Sequence, residues 1–451
     1  MTRPLWACGP RSRTILRAAS AAACVVLALG GGGCASRAAD PPLSAGELGL
    51  IEHTMHEVEN NYVVPVKPQK LVDNALKGML SGLDPHSGYM TEREYRELIS
   101  TTSGRFGGVG IEISLENQVP QVISAIEGTP AAAAGIEPGD RIVRADGDPL
   151  VGMDIEQVVR KLRGAPGSHV VLTIARANRQ PFAVPITRAV IHVDSVKHAL
   201  QPGGIGYVRI STFDETTESE LRKAMAAMRR QAGGQFNGFV LDLRNDAGGL
   251  LDGAIEVAGD FLNGGTVVTT RGREADENRA YRAPAGGDLI PGVPMVVLIN
   301  GASASAAEIV AGALQDNRRA TVIGTHSFGK GSVQSIIPLG GHGALRLTTS
   351  LYYTPSGRSI QGHGITPDRV VVLPKDEQVA NALITYESDL FGALKATGAL
   401  APNAVPPPRT GARPVAGETD HPINPKIIGT AQDAQLRAAV AYLAGHRAEA
   451  R

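Results

Sequence analysis

Met295-Val296-Val297-Leu298-Ile299-Asn300-Gly301-Ala302-Ser303-Ala304-Ser305-Ala306-Ala307-Glu308-Ile309-Val310 is the stretch that decides the fold. Its first five residues are an unbroken apolar run, the pattern of a strand buried on both faces. A turn of small residues follows. Ser305 then opens a helix in which Ile309, Val310, Ala313 and Leu314 recur at helical spacing. The same rhythm extends over 204–372, with a strand at 206–210, an amphipathic helix at 218–230, a strand at 239–243 and a helix at 251–262. Such alternation specifies an α/β layered domain.

The texture changes on either side. Over 106–186, short β-branched runs are separated by glycines, and one helical repeat stands among them at 154–162 (Ile155, Val158, Val159, Leu162). Several strands and one helix in about 80 residues suit a small β-barrel with a helical cap. Residues 41–100 read as helical, with Leu76, Met79, Leu80 and Leu83 at helical spacing, and Asp84-Pro85-His86-Ser87-Gly88 ends that run as a turn. Beyond Pro374 the pattern weakens to a Pro-rich linker at 402–414 and a short terminal helix at 431–443.

The chain has 451 residues, enough for two or three domains, and its 44 acidic and 44 basic residues balance. Nothing in that balance points to nucleic acid as a partner. The three cysteines, Cys8, Cys24 and Cys34, all stand near the N-terminus, so the rest of the chain holds no disulfide. Arg3, Arg11, Arg13 and Arg17 followed by the apolar run 18–29 read as an export signal over 1–35, too short to span a bilayer comfortably. Cys34 is a candidate lipid-modified cysteine, although Gly31 stands where such signals usually carry Leu. Cleavage near Ala35 or Ala38, retention as a membrane anchor, or a disordered leader are the alternatives.

Ser305 has two readings. Ser305-Ala306-Ala307-Glu308 fits the capping box S-x-x-E, which would only satisfy the first helix amides. A serine at a strand-to-helix turn is equally placed for attack, exposed and with the Ala306 amide and the helix dipole beside a developing oxyanion. No histidine accompanies it, so it needs another base. Lys330, in Ser327-Phe328-Gly329-Lys330-Gly331-Ser332-Val333-Gln334, can serve if burial lowers its pKa from the usual ~10.4. Gly324 to Lys330 also matches G-x-x-x-x-G-K, the start of a phosphate loop. There Gly331 replaces the hydroxyl that would hold magnesium, and a strand follows instead of a helix. On a strand Lys330 and Gln334 would face the same way, and Gln334 could orient the amine or remain an ordinary surface amide. Gly248-Gly249, after the strand at 239–243, could bring backbone amides close to a substrate or simply form a tight turn. His53 and His56 are three apart with no third ligand nearby, so no metal and no cofactor are expected.

Taken in order, several blocks resemble the carboxyl-terminal processing, or tail-specific, proteases, a Ser-Lys dyad family with a PDZ domain. They are Leu83-Asp84-Pro85-His86-Ser87, Phe106-Gly107-Gly108-Val109-Gly110-Ile111, Leu241-Asp242-Leu243-Arg244-Asn245, Gly248-Gly249-Leu250, Ser303-Ala304-Ser305, Phe328-Gly329-Lys330-Gly331-Ser332-Val333-Gln334 and Tyr353 to Gln361. The resemblance implies an α/β layered protease core with an inserted PDZ β-barrel domain and an N-terminal helical segment. Its divisions would be a signal at 1–35, helices at 41–103, PDZ at 104–187, the core at 188–375 and an extension at 376–451.

It further implies Ser305 as nucleophile, Lys330 as general base, Gln334 as the residue positioning the lysine, and Ala306, Gly248 and Gly249 as oxyanion donors. Gly108, Val109, Gly110 and Ile111 would hold the C-terminal carboxylate of a peptide. Partners would be protein substrates with apolar C-termini, an adaptor or activator protein, and the envelope membrane on its periplasmic side. Ala302, Ala307 and Ala247 depart from the family's usual Gly, Ser and Pro. A catalytically silent PDZ scaffold and an esterase using the same dyad are the competing readings. Capture of a peptide terminus has little use for small esters.

Overall fold

Met295–Ile299 is a strand with every residue buried. Its alternation sends Val297 and Ile299 into one core, and Val296 and Leu298 into another on the opposite face. The computed structural model describes residues 44–116, 118–177, 179–379, 384–396 and 422–449. The leader with Cys34 and the Pro-rich stretch at 402–414 lie outside the described residues. No described helix is long and apolar enough to cross a membrane.

Six strands form the central sheet, in the order Val196–Gln201, Ile205–Ile210, Gly238–Asp242, Met295–Ile299, Thr321–Gly324 and Arg369–Val370. The first pair is antiparallel and the others are parallel. Helices Thr217–Gln231, Leu251–Gly259 and Ala306–Asp316 contribute to the core on one face, with Ile210, Phe239 and Leu241. The C-terminal helix Ala434–Glu449 covers the other face, placing Leu436, Ala439 and Leu443 against Tyr207, Val240 and Val296. Each buried leucine stabilises that contact by about 1.5–3 kcal/mol.

A second sheet was not legible from the alternation. It is antiparallel and joins Gly88–Met90, Ala344–Tyr353, Thr266–Gly272 and Arg279–Arg282, with Ser332–Pro338 on the other edge of Ala344–Tyr353. Most residues of Ala344–Tyr353 are half-buried, so the strand carries neither an apolar run nor a clean two-residue period. Gly88–Met90 interrupts the stretch expected to be helical and is a strand only because its three residues pair with Arg346, Leu345 and Ala344. Around it stand helices Pro68–Ser81 and Glu92–Thr102. Helix Ala45–Asn61, capped by the Ser44–Glu47 box, belongs to a separate compact unit that ends at Val66.

The inserted barrel consists of Ile111–Glu116, Val119–Ala125, Arg141–Ala145, His169–Ala175 and Phe182–Thr187, joined in that order. Helix Ile155–Leu162 is capped by Asp154 and Gln157, and it contributes Val158 and Leu162 to a core with Ile142, Leu172 and Ile174. The chain enters and leaves the barrel through a two-stranded ribbon, Arg105–Gly108 against Ala189–His192.

Arg244 ties the C-terminal helix to the sheet. Its guanidinium is fully buried and donates to Asp242 Oδ1 at 2.9 Å, to Asp433 Oδ1 at 2.9 Å and to Gln435 Oε1 at 3.0 Å. Removing one partner of such a buried ionic set leaves charge uncompensated. Asp433→Ala is therefore expected to destabilise the chain by about 3–5 kcal/mol, read as a lowered urea midpoint. A wild-type midpoint in that variant would mean the helix is held by its leucines alone.

Candidate functional site

Ser305 sits just before the helix Ala306–Asp316 with φ 56° and ψ −113°, a backbone conformation that residues with a Cβ rarely adopt. Such strain persists only where the surroundings impose it. Here the surroundings are polar and buried. Glu308, on the first helical turn, has no solvent exposure, and its carboxylate accepts four hydrogen bonds. Ser305 N donates to Oε2 at 2.8 Å and Lys330 N to Oε2 at 2.9 Å, while Ser327 Oγ donates to Oε1 at 2.6 Å and Gly329 N to Oε1 at 2.7 Å. The carboxylate arm of the expected capping box is therefore made. The Ser305 hydroxyl forms no cap hydrogen bond; nearby, burial raises the pKa of the Tyr352 phenol, and Ser305 opposes that rise.

Two further contacts fasten the serine turn to its neighbours. Asn300 Nδ2 donates to Asn245 Oδ1 at 2.7 Å and Asn245 N donates to Asn300 Oδ1 at 3.0 Å, bridging the two strand-to-helix turns. Phe328 N donates to Ser303 O at 3.0 Å. Ser303 is fully buried, and its hydroxyl donates to Leu243 O at 2.7 Å, so it serves the scaffold.

Lys330 lies on the loop bound by Glu308 and is half-buried as a residue. Burial foremost, and then the Arg346 cation, hold its pKa below the usual lysine value, while Glu387, Glu308 and Asp84 pull it back. Ser305 and Lys330 make no direct hydrogen bond. Ser305 was expected to be exposed but is only 7% so. The glycine turn covers it: a Cβ on Gly248 (φ 96°) would stand 2.9 Å from Ser305 Cβ and 2.9 Å from Ala306 N. A Cβ on Gly249 would stand 2.0 Å from Phe213 O. Only glycines permit this approach.

Of the expected oxyanion donors, Ala306 N is the first helix amide and has no acceptor within the helix. Gly248 N already donates to Asp246 Oδ1 at 2.8 Å. Asp246 is itself buried, its carboxyl is pushed well above the ordinary range by that burial, and its Oδ2 has no partner.

The pairing expected for Gln334 differs. Its strand begins only at Ser332, so Lys330 lies outside it, and a register irregularity between Val333 and Gln334 breaks the two-residue alternation. Gln334 Nε2 donates to Ser332 Oγ at 2.9 Å and to Thr348 Oγ1 at 3.1 Å. Sequence reading missed Tyr352 and saw Glu308 only as a cap. A buried acid in the first turn after the serine was the available signal for Glu308, and none marked Tyr352.

In the barrel, Gly108 pairs with Ala189, Val109 O accepts from Ala131 N at 2.9 Å, and Gly110 (φ 83°) O accepts from Ile126 N at 3.0 Å. Among the described residues, the Val109 and Gly110 amides donate to nothing. Ile111 begins an edge strand whose outer side is unpaired in the sheet. Amides and a free edge are what an added peptide strand needs. Helix Ala45–Asn61 carries His53 and His56 beside Glu57 and Glu59 on exposed surface. His192, Asp194 and Glu220 do come close enough to share a cation. Glu220, however, already accepts from His192, Thr216, Val196 and both the amide and hydroxyl of Ser195.

The chain matches known proteins over most of the described residues. The model of peptidase family S41 matches residues 204–371 and a PDZ domain model matches 121–176. The chain is 49% identical over 352 residues to the carboxy-terminal-processing protease of Bartonella bacilliformis, covering 77% of this chain and 81% of that one. It is 36% identical over 333 residues to the carboxyl-terminal-processing protease of Picosynechococcus sp., covering 72% and 78%. Among solved structures, a photosystem II D1 C-terminal processing protease is similar with a TM-score of 0.43 and 28% identity, over 74% of this chain and 95% of that one.

The four donors on Glu308 give a stability test. A glutamine offers one acceptor oxygen and would turn its amide toward two donors, so Glu308→Gln should cost about 2–4 kcal/mol. Burial raises the Glu308 pKa from 4.5 to about 7, so the folded chain holds that proton more tightly than the unfolded one. Above about 7 the carboxylate is ionised and accepts all four bonds, so the urea midpoint of the variant there should fall below that of wild type, and equal midpoints would refute the account.

Proposed function

The chain belongs to the carboxy-terminal-processing proteases of peptidase family S41, and on that premise we propose that this serine protease works with a Ser305–Lys330 dyad on the periplasmic side of a bacterial envelope, choosing substrates by their C-terminal region. The observation that carries the dyad is the single buried carboxylate of Glu308, which binds the Ser305 turn and the Lys330 loop at once.

In this reading Ser305 Oγ attacks the scissile carbonyl carbon and its proton passes to Lys330 Nζ, which a lowered pKa makes available as a base. The carbonyl oxygen becomes an oxyanion beside the Ala306 amide and the positive end of the helix dipole. The Gly248-Gly249 turn adds donors once the Gly248 amide gives up Asp246. Lys330 returns its proton to the leaving amine, and water then cleaves the acyl-enzyme by the same transfers. Gln334 acts indirectly, bracing Ser332 and Thr348 beneath the Lys330 loop.

The substrate's terminal carboxylate would be held by the free amides of Val109 and Gly110, with its last residues added as a strand along Ile111. Proposed partners are proteins with apolar C-termini and an adaptor or activator. Attachment through the N-terminal leader, by lipidated Cys34 or a retained anchor, belongs to the same proposal. A partner-gated enzyme is favoured over a permanently open one by the covered Ser305 and the unclosed dyad.

The deciding experiment is cleavage of an unfolded protein with an apolar C-terminus. Ser305→Ala and Lys330→Ala should each lower kcat by at least about a thousandfold while leaving binding of the tail peptide intact. Retained cleavage in either variant would remove that residue from the mechanism.

The pH profile tests the base. Lys330 must be neutral, so kcat should rise with pH through a limb lying below the usual lysine value of 10.5. Arg346→Met removes a cation that favours the neutral amine, and the limb should move to higher pH. An unmoved limb would show that the titrating group is not Lys330.

A further inference from the structure

Glu387 stands in the segment 384–396, beyond the last strand of the central sheet, where no catalytic part was expected. Its side chain has no solvent exposure. Gln361 Nε2 donates to Oε1 at 2.8 Å, and His86 Nε2 lies 2.8 Å from Oε2. An ionised carboxylate only accepts, so the imidazole donates here.

These contacts converge on the Lys330 loop. The Glu387 amide donates to Phe328 O at 3.1 Å, two residues before the lysine. Gln361 Oε1 accepts from Gly331 N at 2.9 Å, one residue after it. Glu387 thus grips both ends of the loop, once through its backbone and once through Gln361. Glu308 holds the middle, at Gly329 and Lys330.

His86 is fixed in turn. Asp84 Oδ1 accepts from His86 N at 2.8 Å, and Arg346 Nε donates to His86 O at 2.8 Å. Asp84 Oδ1 also accepts from Thr348 Oγ1 at 3.1 Å, and that hydroxyl receives the Gln334 amide. The Asp84-Pro85-His86-Ser87 turn, read above as a helix stop and a block of the family resemblance, therefore supports Glu387 and the strand beside Lys330 together.

We propose that Glu387 is a positioning residue for Lys330, acting through Gln361 and the Phe328 carbonyl with His86 as its brace, so that the C-terminal segment 384–396 is a working part of the catalytic unit. This rests on the reading of Lys330 as general base. The alternative is that Glu387 merely fills a polar hole and contributes to stability alone.

The two are separated by charge as well as by geometry. The Lys330 ammonium feels the charges of Arg346, Glu387, Glu308 and Asp84. Glu387 favours the charged amine, so a neutral isostere there should make Lys330 easier to deprotonate. A residue that only fills space would not move that titration.

The experiment uses the full chain, with Glu387→Ala and Glu387→Gln compared to wild type by cleavage kinetics and by pH-dependent acylation of Lys330 read by mass spectrometry. Glu387→Ala should lower kcat about a hundredfold at little changed KM, because the side-chain hold on the Gly331 end of the loop is lost while the peptide site is untouched. Glu387→Gln keeps the Gln361 contact through its amide oxygen and turns its NH2 toward His86, whose imidazole must then leave Nε2 as the acceptor. It should recover part of that kcat, with the acidic limb of kcat and the Lys330 labelling curve both displaced to lower pH. Full kcat in a folded Glu387→Ala variant overturns the proposal, as does an unmoved labelling curve in Glu387→Gln. Should Glu387→Ala fail to fold, the Glu387→Gln titration decides. Wild-type cleavage that does not depend on Ser305 would sink the dyad reading instead, and the labelling curve would still report whether Glu387 governs Lys330.

Discussion

One buried carboxylate organises the centre of this protein. Glu308 accepts from the Ser305 amide, the Ser327 hydroxyl and the Gly329 and Lys330 amides, which uses all four directions a carboxylate offers. The serine turn and the loop that leads from the central sheet to the second sheet become one piece through it. The strained Ser305 backbone is tolerable because its amide has this partner. A loop rich in small residues stays ordered because its amides end on the same group. Burial opposes ionisation, and the four donors favour it, leaving the acid titrating at about 7.

The glycine turn at Gly248-Gly249 and the buried Arg244 extend the same economy of contacts. Arg244, two residues past the strand Gly238–Asp242, reaches forward to Asp433 and Gln435, so the C-terminal helix is anchored a few residues from the turn that covers Ser305. Asn245 and Asn300 then lock that turn to the serine turn. The site is thus built on the ends of two adjacent parallel strands, where the open side of an α/β sheet leaves room for it. Gly248 meets Ser305 at a distance no side chain permits, and its amide is spent on Asp246. A covered Ser305 is the direct result.

Much of this was legible in particular residues. The apolar run Met295–Ile299 and the helix after it gave the layered sheet, because a strand buried on both faces has no polar positions to confuse the pattern. Ser305 and Lys330 were marked by their motifs, and the S-x-x-E spacing pointed to Glu308, though only as a cap. The second sheet was not legible, since its strands are half-buried and carry no clean period. Gly88–Met90 has no strand signal of its own and is made by its partner. The two-residue rule failed at Gln334 because Lys330 lies before the strand and a register irregularity follows Val333.

The sequence by itself determined the local chemistry: which runs are strands, where a serine meets a helix start, which glycines allow close approach, and which family the motifs belong to. Hydrophobic period and turn residues act over a few positions, so they can be read without knowing what lies across the fold. The tertiary structure alone decided which distant polar groups share a buried environment. His86, Gln361 and Glu387 are separated by up to 301 residues and meet around one carboxylate. Buried polar groups must find partners wherever the packing places them, and no short-range pattern records that requirement.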